Sequence, residues 1–477
     1  MALKERLDAL RHPEPAGPGS SELGLSVIPG RQPAADVPLA PTPTPDESPQ
    51  KPARGPNTFA ATKAAIHALL VERHADEIDI GDREGVRKLI TSLTDEYART
   101  ASVPLTRLDY GHLLDALLDE VLGLGPLQPL LEDPAISEVM INHARQVFVE
   151  RGGRVMLSHV VFESDVQLRQ VIDRVVSSVG RRVDESSPMC DARLRDGSRV
   201  NVVLPPLAID GPCMTIRKFS REKLRPADLL AMGSATDDMM RFLEAAVRSR
   251  LSVLVSGGTS SGKTTLLNII SGYIPTDERI VTIEDAAELQ LRQTHVIRLE
   301  ARPPNIEGKG AIEIRDLVRN ALRMRPDRIV VGECRGGEAM DMLQAMNTGH
   351  EGSMATIHAN TPRDAISRLE QMIGMAGMPM TVASIRGQIA AAIRVIVQLQ
   401  RLSDGKRCIT SIAELTGLEG DIIQMQEIYR FVRDSTGEDG TVHGHFQATG
   451  IRPRFLSDLV AKGIVIPGSY FDPNKPL

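Results

Sequence analysis

Residues 251–273, LSVLVSGGTSSGKTTLLNIISGY, carry the clearest indication of the fold. An apolar run that suits a buried strand leads into GGTSSGKT, and TTLLNIISGY follows with the residue pattern of a helix. This is the GxxxxGK[ST] phosphate-binding pattern in its strand–loop–helix setting. Glycines let successive backbone N–H groups face phosphate oxygens, and the helix adds the positive end of its dipole. We therefore predict that this loop binds a nucleoside triphosphate.

Each residue type in the loop suits that ligand. Lys263 can neutralise the β and γ phosphates, and the hydroxyl of Thr264 can ligate Mg²⁺. The predicted cofactors are therefore ATP and Mg²⁺. The predicted nucleotide-binding residues are Gly257, Gly258, Thr259, Ser260, Ser261, Gly262, Lys263, Thr264 and Thr265.

Three further apolar runs follow the loop, separated by helical patterns. They are RIVTIED (279–285), RIVVGE (328–333) and SMATIHA (353–359). Buried strands that alternate with helices indicate a parallel, doubly wound sheet, so the predicted fold class is α/β.

Acidic residues stand where two of these runs end. Glu284 and Asp285 close the first run, with Glu288 soon after, and Glu333 closes the second. Ligands of parallel sheets lie beyond the carboxyl ends of the strands, so these acids are candidate site residues. We predict that Asp285 and Glu288 contribute with Thr264 to the metal site. We predict that Glu284 and Glu333 are catalytic and orient the attacking water.

Two other features accompany these acids. Gly332 occupies the position where an ordinary Walker B strand has Asp. His350 and His358 flank the third run, and we predict that they are catalytic residues that sense the γ-phosphate.

The composition and residue pattern of the chain change along its length. A tail over 1–56 is rich in Pro, Gly, Ser and Ala and is predicted to be disordered. Apolar residues at helical spacing predict a helical module over 57–122, and short strands with one amphipathic helix predict a small α/β domain over 123–219. We expect a linker over 220–236 and the P-loop domain over 237–477.

Composition excludes several classes of protein. A formal net charge of -6 argues against a protein that coats nucleic acid, so no stable nucleic-acid binding is expected. Cys190, Cys213, Cys334 and Cys408 form no CxxC pair, which indicates neither a zinc cluster nor a disulfide framework. The charged start MALKERLDALRH and the absence of a long apolar run predict a cytoplasmic protein without direct membrane insertion.

Four motifs together resemble those of the secretion ATPase superfamily. GGTSSGKT, TIEDAAEL, RIVVGE and TGHEGSMATIH are similar to its Walker A, Asp box, atypical Walker B and His box. The resemblance is strongest to the ATPase of the tight-adherence (Tad, Flp-type) pilus, the CpaF-like branch, and covers residues 107–454. GLGPLQPLL, DARLRDGSRVNVVLPPLAIDGP, ARPPNIEGKG and ATGIRPRF also match it.

This resemblance implies a homohexamer whose subunits have a RecA-like C-terminal domain hinged to the smaller α/β domain, with ATP between the two. It further implies that arginines of the smaller domain reach the γ-phosphate as catalytic residues. Arg193, Arg199 and Arg217 stand in the matching segments. Arg319 and Arg323, which share a helix face at positions i and i+4, are weaker candidates for intersubunit or catalytic contacts.

The predicted function is a hexameric ATP hydrolase that drives assembly, with or without retraction, of a Tad/Flp-type pilus. It would act at the inner membrane through the platform proteins of the pilus. A conjugative type IV secretion ATPase is the alternative within the same class. A RecA-type nucleic-acid translocase and a scaffold that binds nucleotide without turnover are the other two hypotheses.

Overall fold

The computed structural model describes residues 57–74, 82–101, 103, 105–194, 196–219, 224–304 and 309–475. Residues 59–477 form one compact unit. The disorder predicted for residues 1–56 lies outside the described residues. In the part of the chain that is described, no helix is long and apolar enough to cross a membrane.

The first elements are three helices that bury one shared apolar stripe. They are α1 (Asn57–His74), α2 (Arg83–Thr100) and α3 (Arg107–Leu122). Asp82 caps α2 by accepting a hydrogen bond from the Gly85 amide at 2.9 Å, and Thr106 and Asp109 form a capping box on α3. The buried side chains recur three and four residues apart, as helix packing requires: Ile66, Leu70, Val86, Ile90, Leu93, Leu113, Leu114, Leu117 and Leu118.

An antiparallel sheet and one covering helix form the smaller α/β domain. A 3₁₀ turn (Gly125–Leu127) and α4 (Gln128–Glu132) lead into it. The strands are β1 (Ile136–His143), β2 (Gln146–Arg151), β3 (Arg154–Leu157), β4 (Met189–Arg193), β5 (Arg199–Val203) and β6 (Cys213–Arg217), in the order β3-β2-β1-β6-β5-β4. Helix α5 (Asp165–Ser177) buries Leu168, Val171, Ile172, Val175 and Val176 in the core of this domain.

The dipeptide Asp196-Gly197, a common signal of a two-residue turn, lies in a hairpin whose loop is longer than two residues. Strands β4 and β5 pair with Arg193 opposite Arg199, and the Leu194 amide bonds the Ser198 carbonyl at 2.8 Å. Gly197 has φ +95, the left-handed conformation that ends a three-residue hairpin loop.

A larger sheet forms the C-terminal domain, and its parallel part has the predicted doubly wound form. The parallel strands are β7 (Val253–Gly257), β8 (Ile280–Glu284), β9 (Val296–Glu300), β10 (Arg328–Cys334), β11 (Met354–Ile357) and β12 (Val395–Arg401), in the order β12-β7-β11-β10-β8-β9. The helices are α6 (Pro226–Ala231), α7 (Asp237–Arg248), α8 (Lys263–Ser271), α9 (Ile314–Ala321), α10 (Glu338–Asn347), α11 (Pro362–Met375) and α12 (Val382–Ala392). The predicted α/β, RecA-like fold class is confirmed.

The segment predicted as a linker packs on this domain from Pro226 onward. Leu229 of α6 and Ala235 are buried in the core of the larger sheet, and the Ile409 amide bonds the Ser234 carbonyl at 2.9 Å. The predicted domain boundaries otherwise stay predictions.

An antiparallel extension continues the larger sheet beyond β12. It consists of β13 (Arg407–Glu419), β14 (Ile422–Thr436) and β15 (Val442–Ala448), followed by α13 (Leu456–Ala461) and a 3₁₀ turn (Gly468–Phe471). Phe242 of α7 holds this extension to the parallel part through ring contacts with Tyr429 at 5.6 Å, Phe455 at 5.7 Å and Phe471 at 6.2 Å.

A buried arginine links the amino ends of three strands, β8, β10 and β11, to the last turn of α7. Arg328 begins β10 and is fully buried. Its guanidinium bonds Glu278 Oε2 at 2.5 Å and donates at 2.9 Å to each of the carbonyls of Val247 and Gly352. A side chain at Gly352 would collide with it, because a Cβ there would lie 2.0 Å from Arg328 Nη1. This cluster fixes the edge of the sheet that lies opposite the P-loop.

We expect Glu278→Gln to lower the melting temperature strongly. The change leaves the buried Arg328 without a carboxylate, and breaking a buried pair in this way costs about 3–5 kcal/mol. For a domain of this size that corresponds to a shift of roughly 6–20 °C in thermal unfolding. Glu244→Gln is the matched control, because Glu244 pairs with Arg248 on the surface of α7 and such pairs contribute little. A shift no larger than that of the control would contradict the prediction.

Candidate functional site

The P-loop joins the carboxyl end of β7 to the first turn of α8. Ser260 and Gly262 both adopt positive φ angles, +56 and +96, which turn the backbone tightly before the helix begins at Lys263. The carbonyl of Gly258 accepts hydrogen bonds from Ser261 Oγ at 2.9 Å and from Lys263 Nζ at 3.0 Å. The loop therefore has the closed curve that lets backbone N–H groups face an anion.

Close packing explains the glycine at the start of the loop. A Cβ on Gly257 would lie 2.4 Å from Ser261 Oγ and 2.8 Å from the carbonyl oxygen of Leu399 on β12. Only glycine lets β7 approach β12 while the loop folds back over it.

A cleft of about 660 Å³ opens over this loop, between the smaller domain and the C-terminal domain. It brings together most of the residues predicted for the site. Those that line it are Arg199, Arg217, Thr259, Ser260, Ser261, Gly262, Lys263, Thr264, Thr265, Glu284, Asp285, Glu288, Glu333 and His358. Gly257, Gly258, Arg193 and His350 do not line it.

The electrostatics of the cleft fit a phosphate ligand. Burial lowers the pKa of Lys263 below its usual value, and nearby Glu333 offsets this effect only in part. A polyphosphate would supply the negative charge that a desolvated ammonium lacks. In the described ranges no group of three or more His, Cys, Asp or Glu side chains could hold a metal ion. Thr264, whose hydroxyl we predict to ligate Mg²⁺, lines the cleft next to Lys263.

Glu284 is a buried carboxylate at the end of β8. Its Oε2 accepts hydrogen bonds from the amides of Glu288 and Leu289 at 2.7 and 2.8 Å, whereas its Oε1 is buried without a partner. Burial raises the pKa of Glu284 to about 7, against the opposing effect of those two amides. A carboxylate with this pKa can exchange a proton near neutral pH.

The packing around Glu284 explains the glycine at the Walker B position. Strands β8 and β10 pair in parallel, with Ile283 opposite Val331, so Gly332 lies beside Glu284. A Cβ on Gly332 would lie 2.9 Å from Glu284 Cγ. An aspartate at position 332 would occupy the space that Glu284 fills.

Arg335, which we did not predict from the sequence, links two of the acids in the cleft. Its guanidinium donates two hydrogen bonds to Glu333 Oε2, at 2.9 and 2.6 Å, and one to Asp285 Oδ2 at 3.3 Å. The signal was an arginine two positions after the acidic end of β10, at the edge where ligands of parallel sheets lie. Glu333 therefore has a cationic partner in this structure.

The three arginines of the smaller domain have different surroundings. Arg199 Nη1 contacts Glu288 Oε1 at 3.3 Å, so the predicted metal ligand Glu288 has a cationic partner. Arg193 donates to Glu300 Oε2 at 2.7 Å and to the Ala287 carbonyl at 3.1 Å, outside the cleft. Arg217 faces the cleft and has no carboxylate at ion-pair distance within the ranges described. Of the weaker candidates, Arg319 bonds Asp341 of α10 at 2.9 Å.

The two histidines lie at opposite ends of β11, so they do not line one site. His358 follows the strand and lines the cleft, where burial and then Lys263 lower its pKa. His350 precedes the strand, its amide bonds the Ala345 carbonyl of α10 at 3.2 Å, and its Nδ1 is buried without a partner. A parallel strand carries its two ends to opposite edges of the sheet, and this separates His350 from the phosphate loop.

Residues 120–450 match the family described as type II/IV secretion system protein. The chain belongs to this family.

Relatives of this secretion family come from several bacteria. A Mycobacterium tuberculosis protein named "Putative conjugal transfer protein Rv3659c" is 38% identical over 69% of this chain and 95% of its own length. The conjugal transfer protein TrbB of Rhizobium radiobacter is 31% identical over 64% of this chain and 91% of its own length. The crystal structure of the VirB11 ATPase from the Brucella suis type IV secretion system is 30% identical, covers 60% of this chain and 91% of that one, and has a TM-score of 0.34.

We expect Gly332→Ala to destabilise this secretion-family protein only while Glu284 is present. In the native background the new Cβ meets Glu284 Cγ, and such overpacking costs about 1–3 kcal/mol. In a Glu284→Ala background the colliding atoms are gone, so the same change should cost close to nothing. Urea unfolding of the wild type, the two single variants and the double variant measures the coupling between positions 284 and 332. Gly374→Ala, whose Cβ would meet open space, is the control. Equal costs in both backgrounds would show that Glu284 does not explain the glycine.

We also expect the stability of the nucleotide-free protein to depend on Glu284 and pH. Its folded-state pKa, about 7, is above the ordinary carboxyl value, so the folded state retains this proton longer than the unfolded chain. That stabilisation is complete below the unfolded pKa and is lost as pH rises through about 7. Relative to Glu284→Gln, the wild type should therefore lose on the order of 2–3 kcal/mol between pH 5 and 8. Melting curves across this range test it, and a constant difference between the two proteins would refute it.

Proposed function

We propose that this chain is a hexameric, Mg²⁺-dependent ATP hydrolase whose hydrolysis drives domain movement in a bacterial secretion machine. One observation supports it above the others. A single cleft contains the P-loop lysine, two acids at strand ends and two arginines contributed by another domain. These are the groups that phosphoryl transfer to water requires.

The P-loop would hold the triphosphate. Its backbone N–H groups and the start of α8 would face the phosphate oxygens, and Lys263 would neutralise their charge. Mg²⁺, held by Thr264 with Asp285 and Glu288 near it, would withdraw charge from the phosphates when bound. Ser260, Ser261 and the other loop residues that line the cleft would position the nucleotide.

Two carboxylates are available to the attacking water. Glu284 Oε1 is buried without a partner, so it is a free acceptor, and its pKa of about 7 suits proton uptake near neutral pH. Glu333 is more accessible and is paired with Arg335. We propose that Glu333 orients the water and that Glu284 takes up its proton. His358 would monitor the phosphate end of the cleft.

Domain closure would complete the site. Arg199 and Arg217 approach the P-loop from the smaller domain, so their distance from a phosphate depends on how closely the two domains meet. Arg193 secures the same interface through Glu300. Hydrolysis removes the charge that these guanidinium groups would contact, and the cleft could then open. This coupling is what a motor requires and what a scaffold would not need.

The type of machine is inferred from the relatives. The M. tuberculosis and R. radiobacter relatives are named as conjugal transfer proteins, and these names favour a conjugal-transfer or type IV secretion machine over a pilus. We therefore propose this alternative first. The Tad pilus, with its inner-membrane platform proteins, is the second candidate because GLGPLQPLL and ATGIRPRF match that branch. In both cases the chain would work on the cytoplasmic side of the inner membrane through partners.

We expect Glu333→Gln to bind ATP but to hydrolyse it at least about 100-fold more slowly than the wild type, because the substituted amide cannot orient water as a carboxylate does. Steady-state ATPase assays, with light scattering to follow the hexamer, measure this. Glu244→Gln is again the control and should hydrolyse normally. A wild type that binds ATP without turnover, even with its membrane partner, would contradict the proposed function and favour the scaffold.

The same variant distinguishes the two machines in cells. In a strain that carries Glu333→Gln, loss of DNA or protein transfer with intact surface pili would support the conjugal-transfer assignment. Loss of surface pili with intact transfer would instead support the Tad pilus.

A further inference from the structure

Two arginines stand side by side behind the P-loop. Arg401 ends β12 and Arg407 begins β13, and the two residues are directly opposite each other in the antiparallel pair. Like charges in this arrangement repel and destabilise a sheet. Their position therefore needs an acidic partner.

The partner comes from the smaller domain. Glu150 of β2 is largely buried, with its side chain 10% exposed, and lies between the two arginines. Its Oε1 is 3.6 Å from Arg407 Nη2, and its Oε2 is 3.9 Å from Arg401 Nη1. Arg401 also donates to the Gly153 carbonyl, and Ser137 Oγ donates to Glu150 Oε1 at 3.0 Å. Glu150 is thus fixed in its own domain and neutralises a charged pair of the other.

Arg407 also contacts the P-loop. Its Nε donates to the carbonyl oxygen of Ser260 at 2.9 Å. Ser260 is the non-glycine residue of the loop with a positive φ, +56, a conformation that costs free energy unless its surroundings hold it. The stem of Arg407 also lies against the turn, because a Cβ on Gly262 would be 3.7 Å from Arg407 Cδ. Arg407 does not line the cleft, so it approaches the loop from behind.

From these contacts we infer that Arg407 is a positioning residue that makes nucleotide affinity depend on the placement of the smaller domain. This inference rests on the proposed function, since it concerns the ATP site. Glu150 holds the guanidinium, and the guanidinium holds the Ser260 carbonyl, whose peptide carries the N–H of Ser261. When the domains separate, Glu150 leaves, Arg401 repels Arg407, and the loop loses its support. The affinity for the nucleotide would then fall although no residue that contacts the nucleotide had been substituted.

Titration of the full-length protein with ATPγS by calorimetry tests this. We expect Arg407→Gln to weaken binding about fivefold to twentyfold and Glu150→Gln about twofold to fivefold, in keeping with a charge-assisted hydrogen bond and its partner. The double variant should bind no more weakly than Arg407→Gln alone, because the two residues act in series. The turnover number at saturating ATP should change less than about threefold, since the effect is on binding.

Two controls and one substitute variant complete the design. Glu163→Gln removes a smaller-domain acid that pairs with Lys63, and Arg430→Gln removes an arginine of β14 that bonds Gln447. Both should bind ATPγS as the wild type does. If the nucleotide-free melting curve shows that Arg407→Gln is unfolded, Arg407→Lys replaces it, because lysine keeps the charge beside Glu150 but has no Nε donor for Ser260. Weaker binding by Arg407→Lys supports the inference, and unchanged binding overturns it.

The outcomes separate this inference from the proposed function. A wild type that does not bind ATPγS overturns both. A wild type that binds and hydrolyses ATP, with Glu150→Gln unchanged in affinity or with fully additive losses in the double variant, overturns the inference alone.

Discussion

The parallel register of the larger sheet is the constraint on which the site depends. Val253 of β7 is opposite Met354 of β11, Val330 of β10 is opposite that same residue, and Ile280 of β8 is opposite Arg328. Strands paired in this way all end at the same edge. The P-loop, Glu284, Glu333 and His358 follow four of those ends and meet there, although about 100 residues separate them along the chain. A one-residue slip would turn each of these side chains to the other face.

Packing at this edge of the sheet costs folding free energy and raises the pKa of Glu284. Glu284 is buried with one oxygen unpartnered, an arrangement that costs free energy in the absence of a ligand. Gly332 provides the space for it and lacks a side chain of its own. The glycine at position 332, where an ordinary Walker B strand has Asp, and the raised pKa of Glu284 therefore have one origin. The Glu284 carboxylate fills the space beside position 332, and the same packing shields it from water.

The sequence was a good guide wherever function follows from local pattern. The P-loop, the strand-end acids and the α/β class depend on neighbours in the chain, and the structure brings these residues together. His350 and His358 were predicted together, but only His358 lines the cleft, because the pattern shows that they flank a strand and not which edge each one reaches. Arg407 was missed because its partners Glu150 and Ser260 are distant in sequence. Arg335 was missed although its partner Glu333 is only two positions away. The antiparallel extension was also missed, although its strands are neighbours in the chain, with Glu419 of β13 opposite Ile422 of β14.

The boundary between the smaller domain and the C-terminal domain resembles an interface at which two domains can separate. Among the described residues, the buried apolar clusters of these two domains are separate, and none includes residues of both. The ion pairs that cross the boundary include Arg193 with Glu300, Arg199 with Glu288 and Arg407 with Glu150, and each has a partly exposed arginine. Such pairs contribute about 0–1 kcal/mol each, far less than an apolar interface of similar size. Under the proposed function, binding of a single polyphosphate would therefore be enough to decide whether the domains stay together, and its hydrolysis would be enough to release them.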